Sequence, residues 1–398
     1  MSVGPSPVVC MVVYTNYAVD ARVRREAETL ASHGFRVLCL TNRDGEEARQ
    51  FVLEGVEVRE LCVPKYRGKN AAAYAASYTR FLVAASAECL RLQHRGRLDV
   101  VHAHNMPDFL VFAALLPRLR GAKVVLDVHD SIPETFASKF SDGAIRWRVL
   151  CLEEKLSALV AHRVICVNHP QRDALVARGL PASKTFVSMN VPDPRIFPSQ
   201  SSERPVREGG PPKLVYHGTM VARLGVDLLI HAVHRLRGRI PGLQLHLWGG
   251  GDDLDVFRAL AHRLSVLDSV HFTPQGYPLE ELPVRLDAMD VGVIGNRRGV
   301  AGELMLPVKL LEYVALGIPV VVPRLRTIAH YFADDMVSYY EPDNVDSMAD
   351  AIYRLHCQPH LRREQPARAR VFLRDHGWDR QGPELVAFYE RLLEQRAD

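Results

Sequence analysis

No stretch of this 398-residue sequence strings together the ~20 apolar residues of a membrane-spanning helix. The seven cysteines form no Cys-x-x-Cys pair and are odd in number, and Cys10, Cys39 and Cys166 sit inside apolar, strand-like runs. That excludes a disulfide framework and a cysteine zinc site, and predicts reduced core thiols in a cytoplasmic protein. Met1–Pro7 carry no basic segment ahead of the short apolar run Val8–Tyr14, so no secretory leader is expected. No Gly-x-Gly-x-x-Gly follows the first strand, which argues against a dinucleotide enzyme. Basic and aromatic residues are not interleaved, so nucleic acid is not an expected partner.

Charge of neither sign dominates: the formal balance is +4. It is unevenly spread, with 26 Lys/Arg against 20 Asp/Glu in residues 1–195 and 24 against 26 in residues 196–398. The surplus in the first half fits contact with an anionic membrane or a lipid-phosphate acceptor. An ordinary solvated surface also accounts for it. A hydrophobic content of 47% with 24% charge is that of a soluble globular protein, and the length allows two domains.

What is present is an alternation of short β-branched runs and amphipathic helical patterns in two blocks. The first block predicts strands at Pro7–Tyr14, Phe35–Thr41, Asp99–His104, Lys123–Asp130, Arg163–Val167 and Thr185–Met189. Helices are predicted at Arg22–His33, from Asn70 to about His94, and at Trp147–Ala161. The stretch Ser199–Pro212, rich in Ser, Gly, Pro and charge, reads as a linker. The second block opens at Lys213–Tyr216, and Trp378–Arg396 forms a last helix. The predicted organisation is an α/β protein with an N-terminal domain (1–198), a linker (199–212), a C-terminal domain (213–375) and a returning helix (376–398).

Within the second block, Glu303–Pro323 is the most informative stretch. Pro307 suits the first turn of a helix, Leu310, Leu311, Val314 and Ala315 recur at helical spacing, and Gly317 is placed to stop it. Ile318–Val322 then reads as a buried strand. The start of this helix, Met305–Val308, offers unpaired N–H groups and the positive end of the dipole to a phosphate. Lys309 and Glu312 share one helix face; they fit either an anion-and-sugar site or a solvated pair. His102 and His104 fall on one side of their strand, but no third metal ligand of suitable spacing accompanies them. Asp253-x-Asp255 follows a glycine turn and opens a helix, where acids cap; it is not read as a metal motif. Arg297 and Arg298, in the loop before Glu303, face either phosphate or solvent.

Pro307, Lys309, Glu312, Tyr313, Gly317, Pro319 and Val320 together resemble the nucleotide-sugar signature of retaining glycosyltransferases of family 4. That family has the GT-B fold, two Rossmann-like doubly wound domains facing a cleft. The segment Asp127-x-His129-Asp130-x-x-Pro133-Glu134 is similar to one branch of it, and Asn190-x-x-Asp193-x-x-x-Phe197 resembles the turn that closes its first domain. Three positions depart from the family pattern. Leu304 stands where a second Glu is usual, with Glu303 beside it, and Thr219 and Leu224 stand where an Arg and a Lys are usual.

The resemblance implies transfer of a sugar from a nucleotide diphosphate sugar to a hydroxyl acceptor in polysaccharide, glycolipid or other glycoconjugate synthesis, with no metal and no cofactor. It implies catalytic roles for His129, Asp130, Arg223 and Lys309, with Glu312 on the donor ribose. Donor contacts are expected at Gly218, Thr219, Arg223, Glu303, Leu306, Lys309 and Glu312. Asn16, Asp20, Arg22, His104 and Asn105 are expected on the acceptor side. In lipid-linked enzymes of this fold a region such as the basic knot Lys65–Lys69 and the helix after it lies on the membrane, which implies a cytoplasmic protein with peripheral contact at the inner face. Two other readings are a catalytically degenerate GT-B binding subunit, which the three departures favour, and a GT-B sugar-nucleotide epimerase, which lacks an evident pair of catalytic acids.

Overall fold

The computed structural model describes residues 6–43, 49–66, 71–96, 98–138, 143–199 and 210–394. Most of the expected linker, and residues 67–69 of the basic knot, lie outside them. The chain forms two compact units, Met1–Asn190 with Gln381–Asp398, and Val191–Arg380.

The first unit is built on eight strands: β1 (Val8–Val12), β2 (Arg36–Asn42), β3 (Arg49–Leu53), β4 (Val56–Leu61), β5 (Val100–His104), β6 (Lys123–Val128), β7 (Arg163–Cys166) and β8 (Thr185–Val187). Their order is β3-β4-β2-β1-β5-β6-β7-β8. All neighbours are parallel except β3 and β4, an antiparallel pair at the edge. That hairpin is not in the sequence-based expectation. Its turn places Glu54 (φ 48°) and Gly55 (φ 79°) in the left-handed region, the geometry that Asn-Gly or Asp-Gly usually announces, and a glutamate in the first place conceals it.

β1 carries the apolar run Val9–Val12 with every residue buried, as a parallel strand covered on both faces requires. Helix Ala71–Arg95 seals one face with Phe81, Ala85 and Cys89. From Gln381 on, helix Trp378–Glu394 belongs to this unit: Gln381 accepts a hydrogen bond from the Met189 amide (2.5 Å) and Phe388 stacks on Phe186 (4.5 Å).

The second unit has six parallel strands: β9 (Lys213–His217), β10 (Gln244–Trp248), β11 (Val270–Thr273), β12 (Val291–Val293), β13 (Val320–Pro323) and β14 (Ser338–Tyr340). Their order is β11-β10-β9-β12-β13-β14. Helix Val226–Leu236 presents Val226, Leu229, Ile230, Val233 and Leu236 to the core at helical spacing. Truncating one such leucine to alanine costs about 2–5 kcal/mol.

In each unit the strand order reverses at one place, between β1 and β5 in the first and between β9 and β12 in the second. Open parallel sheets leave a crevice beyond the carboxyl ends of the strands at such a reversal. The candidate residues of the first unit gather beyond β1, β5 and β6, and those of the second beyond β9.

Candidate functional site

Gly218 follows β9 with φ +113°, and its amide donates to the Trp248 carbonyl (2.8 Å). At Gly249, after β10, a Cβ would lie 2.2 Å from the Gly218 carbonyl oxygen. The two turns thus meet backbone to backbone, which only glycine permits. Lys309 reaches into this meeting point. A Cβ on Gly218 would stand 3.2 Å from its ammonium, which lies 3.8 Å from the centre of the Tyr216 ring.

Burial pushes the Lys309 pKa down to about 7, with Glu312 opposing and Arg223 adding to the fall. A desolvated amine beside a second cation favours arrival of an anion. Helix Val308–Ala315 carries both Lys309 and Glu312; Pro307 is its N-cap, one place earlier than a first-turn proline. Gly317 ends it in the left-handed conformation (φ 68°).

Glu312 is buried, and its Oε2 lies 2.6 Å from His217 Nε2. His217 Nδ1 in turn contacts the Tyr313 hydroxyl (2.9 Å), which donates to the Val215 carbonyl (3.2 Å). His217 therefore aims Glu312 from the end of β9. His217 is not among the residues expected from the sequence, although its place directly before Gly218 marks it.

Arg223 is exposed on the turn Ala222–Leu224, and its charge is felt at Lys309. Leu224 is buried. Thr219 is exposed and uses its carbonyl to accept from the Tyr216 hydroxyl (2.6 Å). Leu306 is half-buried just before the Val308–Ala315 helix. Glu303 caps the next helix, accepting from the Arg326 amide (2.6 Å).

Arg297 and Arg298 are both ion-paired, and Arg298 also faces solvent, one of the two surroundings expected for them. Arg297 is held by Asp227 and by Asp343 (2.8 Å), and Arg298 by Glu341 (2.8 Å). Asp253 accepts from the Ala222 amide (2.7 Å), and Asp255 pairs at 3.5 Å with Arg258 one turn on, so this Asp-x-Asp is occupied structurally.

The first unit's candidates converge on a residue that received no role, Asp127, near the end of β6. Its carboxylate is fully buried and accepts two hydrogen bonds from Arg22, Nε to Oδ2 at 3.0 Å and Nη2 to Oδ1 at 2.9 Å. The same Oδ2 accepts from His129 Nε2 (3.0 Å) and His104 Nδ1 (3.2 Å). Those two nitrogens, 3.1 Å apart, both carry their hydrogens toward that oxygen, which leaves His129 Nδ1 free of this contact.

Burial disfavours the Asp127 carboxylate, but Arg22, His129 and His104 together outweigh it and hold the pKa well below the usual range. Burial would likewise lower His129; the charge of Asp127 and its hydrogen bond together outweigh burial and raise the pKa. His102, stacked on His104 at 4.0 Å, is hydrogen-bonded through Nδ1 to the Tyr389 hydroxyl (2.6 Å), and burial pushes its pKa well down.

Arg22 also pairs with Glu26 (3.0 Å) and donates to the Ser188 carbonyl (3.0 Å). Glu26, His102, His104 and Asp127 bring ligand atoms within 4.8 Å of one another, which corrects the expectation that no further ligand accompanies the two histidines. Arg22 already supplies that group with a cation.

Asn105 is buried and latches the segment after β6: its Oδ1 accepts from the His129 amide (2.7 Å) and its Nδ2 donates to the Asp130 carbonyl (2.7 Å). His129 is partly exposed and Asp130 exposed. Glu134 is buried and paired with Arg178. Asn16 and Asp20 take helix-cap roles, accepting from the Ala18 (3.0 Å) and Val23 (3.2 Å) amides. Of the first unit's candidates, Asn16, Asp20, His129 and Asp130 reach the surface, whereas Arg22, His104 and Asn105 are buried.

Residues 18–190 match the model of the glycosyl transferase 4-like domain, and residues 211–358 that of the glycosyl transferases group 1. The chain belongs to the GT-B glycosyltransferases. It is 31% identical over 189 residues to the GDP-mannose-dependent alpha-(1-6)-phosphatidylinositol monomannoside mannosyltransferase of Mycobacterium tuberculosis, across 45% of this chain and 48% of that one. It is 25% identical over 305 residues to the phosphatidyl-myo-inositol mannosyltransferase of Propionibacterium freudenreichii, across 74% and 71%. The match thus spans less than half the length of the mycobacterial relatives, 40% in Mycolicibacterium smegmatis and 48% in M. tuberculosis. Sucrose-phosphate synthase from Thermosynechococcus elongatus shares the fold with a TM-score of 0.78 at 18% identity, over 98% of this GT-B chain and 99% of that one.

Proposed function

We propose that this GT-B protein transfers a sugar, with retention, from a nucleotide diphosphate sugar to a hydroxyl acceptor in glycoconjugate synthesis. The observation that carries the reading is the depressed Lys309 ammonium at the glycine-only junction of the turns after β9 and β10, one helical turn from a carboxylate aimed by His217. A diphosphate there restores the Lys309 proton and gains charge-assisted hydrogen bonds, each about 1.5–3 kcal/mol. Arg223 and the Thr219 amide complete the anion site, and the amides that open helix Val308–Ala315, beyond Leu306, add the positive end of a dipole. The free Glu312 oxygen accepts from the ribose hydroxyls.

In this reading the departing diphosphate is stabilised by Lys309 and Arg223 and takes the acceptor proton in a front-face displacement. His129 and Asp130 contact the donor sugar, and Asp127 with Arg22 and Asn105 fixes the His129 ring. These cations supply the charge that a metal would otherwise bring. The mannosyltransferase relatives make GDP-mannose the first donor to try. A membrane-borne acceptor, met from the cytoplasmic side, is part of the same proposal.

The test is calorimetric titration with GDP, UDP, ADP and TDP, followed by NMR of the product linkage. One diphosphate bound by the wild type and at least tenfold more weakly by Lys309→Met and Glu312→Ala, an α-linked product from an α-linked donor, and turnover unchanged by EDTA support it. Donor binding without transfer or hydrolysis would replace it with the binding-subunit reading.

A further inference from the structure

Sixteen large apolar side chains are exposed among the described residues, and eight of them lie on two helices of the first unit. Ile145, Val149, Leu152, Leu156 and Leu159 lie on helix Ala144–Val160, and Leu115, Leu116 and Leu119 on helix Leu115–Leu119. Arg118 donates to the Leu159 carbonyl (3.5 Å), so the second helix extends the patch from the end of the first. The membrane-facing helix expected from the sequence is different: on Ala71–Arg95, Val83 alone among the large apolar residues is that exposed.

The five residues of Ala144–Val160 are spaced four, three, four and three apart, which draws one apolar stripe along the helix. Charge selects what covers it. Arg146, Arg148 and Lys155 flank the stripe and are exposed. The helix's own carboxylates turn away: Glu154 is buried and accepts from Arg178 (2.8 Å), and Glu153 accepts from Ser157 (3.2 Å). Arg120 adds an exposed cation beside Leu119. A second copy laid across this stripe would set cations against cations. An anionic lipid surface answers both the apolar stripe and its uniformly positive border. A cavity of about 470 Å³ lies beside the stripe, walled by Trp147, Leu152, Lys155, Leu159 and Lys184, and gives the same face apolar depth.

We infer that the face formed by Ala144–Val160 and Leu115–Leu119 docks on an anionic lipid bilayer, with the stripe in the headgroup boundary and Arg146, Arg148 and Lys155 on lipid phosphates. The inference is independent of the donor reading, because docking is measured without nucleotide.

The experiment is co-sedimentation of the full chain with vesicles of phosphatidylcholine alone or mixed with phosphatidylglycerol. The expected result is binding to the mixed vesicles only, weakened at least tenfold by Leu152→Glu/Leu156→Glu and by Arg148→Glu/Lys155→Glu, and unchanged by Val83→Glu. All substituted positions are exposed, so thermal melts should coincide with the wild type; the charge-reversal pair tests the inference even if the apolar pair melts early. No binding to the mixed vesicles, equal binding to phosphatidylcholine alone, or loss only with Val83→Glu overturns it. So does a dimer in sedimentation velocity that Leu152→Glu/Leu156→Glu dissolves, since the stripe then belongs to a second copy.

Discussion

The two sheet reversals place charge in opposite states. Beyond β5 and β6 of the first unit, Arg22, Glu26 and Asp127 are buried and paired with one another. Beyond β9 of the second, Lys309 leans on an aromatic ring and a carboxylate turn away, its proton loosely held, with an exposed Arg223 nearby. The first arrangement spends its charges on internal geometry and exposes one histidine. The second keeps a cation in need of an anion. A parallel sheet offers the same crevice in both cases, and the side chains decide whether it becomes a scaffold or a binding site.

Breaking the pairing in the first unit is expected to have the largest effect. Asp127→Asn leaves the Arg22 guanidinium buried with half its counter-charge, and should destabilise the protein by about 3–5 kcal/mol in denaturant titrations. In the same variant the His129 titration followed by NMR should fall from above the ordinary 6.5 toward or below it. A change under about 1 kcal/mol would mean the network is not the scaffold described.

Lys309→Met is the converse experiment. It should weaken nucleotide diphosphate binding by about 1.5–3 kcal/mol while leaving the free protein at pH 7 as stable as before, or more so. A variant that lost stability and binding together would erase the contrast between the units.

A pH series sharpens it. In the free folded protein the Lys309 amine titrates near 7, against an ordinary value near 10.5. Between those limits the unfolded chain holds the extra proton, so this group's contribution makes stability rise with pH across that window. A diphosphate prefers the protonated amine, so affinity should be greatest below about pH 7 and decline above it. Lys309→Met should flatten both profiles. Asn16→Ala is expected to have the smallest effect: loss of one helix cap, about 1 kcal/mol at most, with ligand affinity unchanged.

Much of the second unit's site was legible because it is local. Pro307, Gly317 and the strand after it obey rules that operate within a few residues, and the helix between them fixes how Lys309 and Glu312 face. The first unit's network was not legible. Arg22 and Asp127 meet across 105 residues, and no pattern in either segment announces the other. Asp127 stands inside its own motif, yet a strand-interior aspartate reads as a core position until its partner is known. Asn16 and Asp20 show the converse: polar residues in a loop after a strand suggest a ligand, and in the structure each also accepts from a helix amide beside it.

The hydrogen bond between Tyr389 and His102 has a consequence for the order in which the protein is made. The second unit is one continuous stretch, Val191–Arg380, whereas the first takes in the helical segment from Gln381 onward as well. On the ribosome the later-synthesised unit is thus complete before the earlier one. Until helix Trp378–Glu394 emerges, Phe186, the Met189 amide and His102 wait without their final partners. A chain truncated after Arg380 should therefore resist protease across Val191–Arg380 while residues 1–190 are still cut.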